Sequence, residues 1–465
     1  MKISLNNDYL FYSFLFLLIC LCSLISYENI SFDLYFNYKY IEYSRFFRDL
    51  MNGYKNRTYE NLGTFPIWGY GVVHLFLKNK LYILIFQQLL CLISIIKIDQ
   101  FLVKIKKITS VKFSRTLMLL ALPCFFFHTQ MWPKSVSSSL LILGILQLFY
   151  FMEYKKTSNL IYSGILMGLV CNLRSDYLFV IFSLPFFIII FEYLNKNLTK
   201  LNCLKIFIMP FIVFLFLCPW GFYTFSKTNH FFLNSTNTGH TFFIGLGQLP
   251  NNAWGITPMD DDKLMAEMIK KQFNDENIST VDFKANKFLL NEFRKLVILN
   301  PSEWIKKCFF SLRLIFLDPF YVGNVANFQK NEVSNIDEIR SLEKYVYNFD
   351  FKSATEIIIK TKWSFSVKEI FQMIITILTK IIGVFTFIFF LALTIIRLSK
   401  YAGTKFLCPI ISLSYLLIIY QISISLFAFH MPVYNTSIYL IYLISIVLLF
   451  EKTFLSNNIQ LLKNK

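Results

Sequence analysis

The chain lacks the patterns that mark a disulfide framework or a metal site. Its nine cysteines form no Cys-x-x-Cys pair and no cysteine–histidine spacing typical of metal ligands. Most of them fall inside apolar runs, where cysteine is commonly a small buried side chain. Neither disulfides nor redox chemistry are therefore indicated. The sequence also has no internal repeat and no low-complexity tract beyond its apolar bias.

Acidic residues and histidines are scarce. Asp and Glu number 28 against 46 Lys and Arg, which gives a formal net charge of +18, and there are five histidines. The basic residues are concentrated in alternate short connections between apolar runs, for example between Lys97 and Arg115. Loops on the cytoplasmic side of a membrane carry this excess, so the charge reflects topology and requires no nucleic-acid partner.

Apolar residues are abundant. The chain is 55% hydrophobic and 18% aromatic over 465 residues, and its mean hydropathy is +0.52. Repeated apolar runs of near-bilayer length predict an all-α polytopic membrane protein, because backbone groups in lipid must be satisfied within helices. We expect about ten transmembrane helices, within a range of about 8 to 13. The predicted spans are 10–27, 81–96, 115–127, 136–152, 159–171, 177–191, 206–225, 369–395, 406–428 and 432–450.

With the basic connections placed in the cytoplasm, both termini lie inside and two large segments lie outside, at 28–80 and 226–368. The first span has no small-x-small cleavage site after it and is expected to be a retained anchor. We predict three parts: an N-terminal transmembrane catalytic module, an outer loop or small domain, and C-terminal helices with a cytoplasmic tail. Their bounds are 1–225, 226–368 and 369–465. Abundant Lys, Asn, Ile and Phe suggest an AT-rich, bacterial genome. We therefore expect an integral protein of the bacterial cytoplasmic membrane, and the topology above places its active site on the outer face.

Polar residues cluster where the seventh span ends. Pro219-Trp220 is followed by Ser235-Thr236-Asn237-Thr238-Gly239-His240 and by Gly245. A hydroxyl- and glycine-rich segment beside a hydrophobic wall suits a site for a polar group carried on a lipid, because glycine lets a backbone approach closely. The alternative is a plain polar loop rich in turn-forming residues.

Acids of the first outer segment are candidates for chemistry. Asp33 and Glu42 lie near a helix-like stretch at 40–51. A carboxylate can take a proton from an acceptor hydroxyl, or can hold a divalent metal that neutralises a leaving phosphate. No cofactor is firmly indicated, and a divalent metal stays open. Periodicity alone favours a solvated amphipathic helix.

Landmarks across residues 1–450 resemble those of GT-C glycosyltransferases, in particular protein O-mannosyltransferases and the lipid A aminoarabinose transferase. The landmarks occur in the family's order. They are Tyr40-Ile41-Glu42-Tyr43-Ser44-Arg45, Gly53, Pro66-Ile67-Trp68-Gly69-Tyr70, Gly164-Ile165-Leu166-Met167-Gly168, Leu173-Arg174-Ser175-Asp176, Pro219-Trp220, the 235–239 segment, Gly245 and His430-Met431-Pro432.

The resemblance implies a membrane glycosyltransferase, usually inverting. Its donor would be a polyprenyl-phosphate sugar, and its acceptor a lipid, glycan or protein on the non-cytoplasmic face. A carboxylate of the first outer loop would act as the base or orient the acceptor, and basic side chains would hold the phosphate. No metal ligand is assigned.

The sequence departs from the family in two places. Phe36 and Asn37 occupy the positions of the usual acidic pair, so Asp33 or Glu42 would take that part, or the chain is not catalytic in the usual way. Lys134 stands where a second acid commonly precedes the fourth span; it would bind the donor phosphate or be an interfacial lysine.

Several residues are expected to bind the donor phosphate or sugar. Arg174 would contact the phosphate or have a structural role, and Asp176 would hold the arginine in place. The full predicted set is Lys134, Arg174, Asp176, Ser235, Asn237, Gly239, His240 and His430. Two other functions stay open: a polysaccharide polymerase or ligase, and a transporter of lipid-linked sugars. The spans carry few charges, which argues against the transporter.

Overall fold

The computed structural model describes residues 2–27, 69–77, 79–130, 132–194, 204–233, 235, 237–259, 262–275, 278, 280, 282–321, 345, 350–360, 367–400 and 409–455. Across these ranges the regular structure is helical and contains no strand. The predicted all-α class is therefore confirmed. Asp33 and Glu42 lie outside the described residues.

The helices are numbered in chain order. They are α1 (Lys2–Tyr27), α2 (Gly69–Phe76), α3 (Lys80–Gln100), α4 (Val111–Leu119), α5 (Leu122–Phe127), α6 (Pro133–Tyr154), α7 (Thr157–Leu173), α8 (Leu178–Leu194), α9 (Ile208–Thr228), α10 (Thr238–Leu246), α11 (Lys263–Phe273), α12 (Phe283–Leu299), α13 (Pro301–Leu317), α14 (Phe351–Lys360), α15 (Val367–Lys400), α16 (Pro409–Phe427), α17 (Pro432–Thr436) and α18 (Tyr439–Phe450). Wider π-helical turns at Phe101–Ile105 and Glu451–Leu455 extend α3 and α18, and a 3-10 turn at Ser175–Tyr177 precedes α8.

Seven helical stretches of the described chain are long and apolar enough to cross a membrane. Each has a continuous apolar sequence, which is the feature that predicted them. The chain is thus supported as a helical membrane protein. The seven stretches are Asn7–Ser26, Leu81–Ile105, Pro133–Tyr154, Ser175–Tyr193, Leu204–Phe222, Ile370–Ser399 and Ile410–Phe427.

The other three predicted spans coincide with shorter helices. The 115–127 run is divided between α4 and α5, where Pro123 lies in the first turn of the second helix. The 432–450 run is divided between α17 and α18. The 159–171 run lies in α7, which has 17 residues and would be about 25 Å long. Length therefore separates these helices from the seven long ones.

The long helices differ in how deeply they are packed. Within the protein, 78% of the most apolar part of Pro133–Tyr154 is buried, against 28% for Asn7–Ser26. Helix α18 is buried from Tyr439 to Leu449. We infer that α6 and α18 form the centre of the bundle, whereas α1 presents apolar side chains such as Leu17 and Leu24 at the surface.

Two glycines allow α7 and α9 to pack closely. A Cβ atom on Gly164 would lie 2.9 Å from Cβ of Ile212, and one on Gly168 would lie 2.8 Å from Cβ of Phe216. Small residues four positions apart commonly let membrane helices approach in this way. The close contact fixes the end of α7, from which Arg174 follows.

The described part of residues 226–368 has its own apolar core. Phe243 and Leu246 of α10 pack with Met265 of α11 and with Leu289 of α12. Asp262 begins α11 by accepting a hydrogen bond from the Met265 amide at 2.7 Å, as an N-cap residue does. These short helices make a separate packed layer that adjoins the membrane bundle through α13 and the turn after α16.

Candidate functional site

A buried arginine lies in the turn between α7 and α8. The guanidinium of Arg174 donates to Asp176 through Nε, at 2.7 Å from Oδ1, and through Nη2 to Oδ2. Arg174 is 6% exposed. Its third nitrogen, Nη1, is buried and has no hydrogen-bond partner within the described residues. The two-pronged contact with Asp176 fixes the guanidinium plane and leaves one donor unused.

Lys134 and Arg174 both contact the ring of Tyr434. Lys134 Nζ and Arg174 Cζ are 5.3 and 5.2 Å from the centre of the Tyr434 ring. Lys134 Nζ is also 5.3 Å from the centre of the Trp132 ring. Aromatic faces attract cations and can hold them near each other. Two cations that contact one ring favour an anionic ligand.

The segment at 235–237 docks on the same turn. Ser175 and Ser235 are hydrogen-bonded through their hydroxyl oxygens at 2.8 Å. The Ser235 hydroxyl also lies 2.6 Å from Asn237 Oδ1. Five of the predicted donor-binding residues therefore meet around Arg174. We call this group the Arg174 site: Lys134, Arg174, Asp176, Ser235 and Asn237, with Tyr434.

The turn that holds Tyr434 is fixed from several sides. Tyr177 is hydrogen-bonded to the Ser437 hydroxyl, and that hydroxyl donates to the Tyr434 carbonyl at 2.6 Å. Tyr321 stacks on Trp132 at 5.5 Å between ring centres. Burial raises the pKa of Tyr321 to about 12. These aromatic residues form one wall of the Arg174 site.

Gly239 and His240 lie at the start of α10. The Gly239 amide donates to Asn286 Oδ1 at 2.6 Å, and a Cβ atom on Gly239 would lie 2.1 Å from the Asn286 carbonyl oxygen. Its close backbone approach is therefore with α12, and its amide is already donated within the protein. His240 is 6% exposed and is buried beside Gly239.

His430 lies in the turn after α16, where it contacts Gln248 and Asp318. Its amide donates to Gln248 Oε1 at 2.9 Å, and its Nε2 lies 3.2 Å from the Asp318 carbonyl oxygen. A carbonyl can only accept, so Nε2 carries the proton and Nδ1 does not. Burial, reinforced by the Lys307 charge, lowers the pKa of His430 to about 4. This imidazole is neutral at pH 7.

Lys307 was missed by the sequence analysis. Its ammonium is fully buried and donates to the carbonyls of Leu426 and Ala428, each at 2.7 Å. These carbonyls lie at the C-terminal end of α16, where a cation is favoured. Burial lowers the pKa of Lys307 to about 8. One lysine among aromatic residues gave no local signal of this capping role.

The end of the first outer segment reaches the Arg174 site. Tyr70 of α2 packs with Val136 and Leu173, which stand beside Lys134 and Arg174 in the sequence. The Tyr70 hydroxyl donates to Gln87 Oε1 at 3.2 Å. Helix α2 therefore lies beside residues that flank the Arg174 site.

No family model, curated protein or solved structure matches the chain.

Proposed function

We propose that the protein is a membrane glycosyltransferase that moves a sugar from a polyprenyl-phosphate donor to a lipid, glycan or protein acceptor. One observation carries the proposal. Arg174 is a buried arginine with one donor unused, and it shares the Tyr434 ring with a second cation, Lys134. A phosphate would supply a hydrogen-bond acceptor for Arg174 Nη1 and negative charge for both cations.

The energetic argument rests on the unused donor. A buried polar group without a partner costs about 1–3 kcal/mol, and more when it is charged. A phosphate oxygen at Arg174 Nη1 would remove this cost, and Lys134 would neutralise further negative charge. Asp176 keeps the guanidinium oriented, so the site would need little rearrangement when the donor binds.

The surroundings favour a phosphate that is attached to an apolar chain. The Arg174 site stands where Ser175–Tyr193, an apolar stretch of membrane-spanning length, begins. A lipid-linked phosphate could keep its head at the two cations and its tail along the apolar helices. The hydroxyls of Ser175 and Ser235 add donors suited to a sugar.

The proposed transfer breaks the bond between the anomeric carbon and the phosphate oxygen and forms one to an acceptor oxygen. The acceptor proton goes to a carboxylate, for which Asp33 and Glu42 are the candidates. The electron pair of the broken bond stays with the polyprenyl phosphate. Arg174 and Lys134 would stabilise the negative charge that develops there.

Transfer can be measured in membranes that carry each variant, with a panel of polyprenyl phosphates bearing labelled hexoses, pentoses and aminosugars. The readouts are labelled acceptor and released polyprenyl phosphate. Arg174→Ala should lower the rate about 100-fold or more, and Lys134→Ala by a smaller factor. At least one of Asp33→Ala and Glu42→Ala should lower it comparably.

The matched controls are Arg294→Ala and Lys270→Ala, which remove exposed cations of the second outer segment. Both should keep the wild-type rate. Full transfer by Arg174→Ala in a folded state would refute the phosphate role. Full transfer by both acid variants would refute the carboxylate base, and movement of label across the membrane without transfer would support a transporter instead. Glycan analysis of cells that lack the gene would identify the acceptor.

A further inference from the structure

Three potential metal ligands meet between α3 and α5, in a group that we call the Cys91 cluster: Cys91, Cys124 and His128. The two sulfurs are 3.9 Å apart, and Cys124 Sγ is 3.7 Å from His128 Nδ1. All three ligand atoms lie within 4.8 Å of one another, and the three residues are buried.

The fold explains how these residues meet. Cys124 and His128 are four positions apart, across the end of α5, so they lie on one face. Cys91 comes from α3, 33 residues earlier in the sequence. No local spacing reveals such a set, because one of the ligands comes from another helix.

The distances suit a tetrahedral metal. Zinc lies about 2.3 Å from sulfur and about 2.0 Å from imidazole nitrogen, so tetrahedral geometry places two sulfurs about 3.8 Å apart and a sulfur and a nitrogen about 3.6 Å apart. The observed separations are 3.9 and 3.7 Å. An ion could therefore bind with only small shifts of the side chains.

Gln88 is the candidate for a fourth ligand. Gln88 is one turn before Cys91, and its Nε2 donates to the Phe125 carbonyl at 3.3 Å, next to Cys124. Gln88 is 6% exposed. Its Oε1 is buried and has no hydrogen-bond partner in the described part of the chain. A buried amide oxygen without a donor is the kind of group that a cation would satisfy.

The charge balance selects a divalent ion. When two thiols lose their protons to solvent and a divalent cation enters, the net charge of the cluster does not change. A monovalent ion would leave one negative charge among fully buried side chains, which is costly. Two sulfurs and one imidazole are ligands that zinc accepts readily.

Ser139 can support the histidine in both states. Without an ion, Nδ1 of His128 is 2.8 Å from the Cys124 carbonyl oxygen and carries the proton, so Nε2 accepts from the Ser139 hydroxyl at 2.9 Å. With an ion on Nδ1, the proton would move to Nε2, which would then donate to the same hydroxyl. Such a partner commonly orients metal-bound histidines.

We propose that Cys91, Cys124 and His128, completed by Gln88 Oε1, bind one zinc ion that joins α3 to the end of α5. The residues after His128 lead to Trp132 and Lys134, so the ion would also stabilise the segment that holds one cation of the Arg174 site. The proposal does not depend on the transferase activity.

The test begins with the full-length wild-type protein in detergent, from cells grown with zinc. Elemental analysis should find about one zinc per chain. After the metal is removed with a chelator under reducing conditions, added Co²⁺ should give thiolate-to-cobalt absorption and the intense visible bands of a tetrahedral site. X-ray absorption should show two sulfur neighbours and two nitrogen or oxygen neighbours.

Variants then assign the ligands. Cys91→Ser, Cys124→Ser and His128→Gln should each lower metal affinity at least tenfold, whereas Cys171→Ser should keep it. Cys171 is a matched control, because it is a buried cysteine of α7. A purified wild type that holds no zinc and binds no cobalt would overturn the proposal. A Cys91–Cys124 disulfide in protein isolated with thiols trapped would also overturn it, as would binding of copper(I) alone.

Discussion

Arg115 and Arg174 both pair with carboxylates inside the bundle, but the two pairs are completed differently. Arg115 contacts two acids, Asp99 through Nε at 3.2 Å and Asp8 through Nη2 at 2.5 Å. Tyr12 donates to the same Asp99 carboxylate at 2.8 Å. Arg174 contacts one acid, Asp176, and stands near a second cation, Lys134.

The difference separates a structural ion pair from a binding site. Around Arg115, carboxylates outnumber the cation, and the group ties α1 to α3 and α4. Around Arg174, Asp176 accepts from Nε and Nη2, and Nη1 has no hydrogen-bond partner within the described ranges. A buried arginine alone therefore does not indicate a ligand; an arginine whose donors exceed the nearby acceptors does.

The largest effect that would test this comparison is the loss of stability when each arginine is replaced by alanine. Arg115→Ala should lower the free energy of unfolding by about 3–5 kcal/mol, because Asp99 is 1% exposed and would keep an uncompensated charge. Arg174→Ala should cost clearly less, since the Asp176 side chain is 23% exposed and can be hydrated. Reversible unfolding in mixed detergent micelles measures both losses.

A double variant provides the control. Adding Asp99→Asn to Arg115→Ala should restore part of the stability, because it removes the charge that the first substitution leaves unpaired. Equal losses for the two arginine variants, with no recovery in the double variant, would show that the two pairs have the same role.

The apolar pattern of the sequence predicted the long helices well and the short helices poorly. Continuous apolar runs indicate helices in lipid, and seven of the ten predicted spans coincide with long apolar helices. The split at 120–121 depends on the Pro123 turn, and the depth of α18 depends on packing against other helices. Neither is encoded in mean hydropathy.

The candidate site was only partly accessible from sequence. The sequence predicts Lys134, Arg174, Asp176, Ser235 and Asn237 as binding residues, and the structure brings them together. Tyr434 was missed, because its role comes from contacting two cations that belong to distant segments. The Cys91 cluster was missed for the same reason. Chemistry built across helices leaves no fixed spacing in one segment.

The next largest effect is on the pH dependence of stability, and it comes from His430 in the turn before Tyr434. The pKa of His430 is about 4 in the folded protein, against an ordinary value of 6.5, because the imidazole is buried. The unfolded chain therefore binds more protons between pH 6.5 and 4, and stability falls as pH decreases through that window. The loss should approach about 3 kcal/mol, at about 1.4 kcal/mol per pKa unit.

His430→Gln should remove this slope, while His230→Gln should retain it, because His230 is exposed. Unfolding free energies measured from pH 7 to 4 distinguish the variants. An unchanged slope in His430→Gln would mean that His430 is not the group responsible, contrary to the lowered pKa that its burial implies.

The smallest effect tests whether packing behind the site supports its cations. A Cβ atom on Gly245 would lie 1.9 Å from the Ala428 carbonyl oxygen, which also accepts from Lys307. Gly245→Ala must shift the turn that leads to Tyr434 and should cost about 1–3 kcal/mol. Gly255→Ala meets open space at a φ of +67° and should cost about 1 kcal/mol from backbone strain alone. Only Gly245→Ala should also weaken donor binding, because only that glycine packs against the turn that leads to Tyr434, the residue that Lys134 and Arg174 both contact. Equal donor binding by the two variants would show that packing at this turn does not affect the Arg174 site.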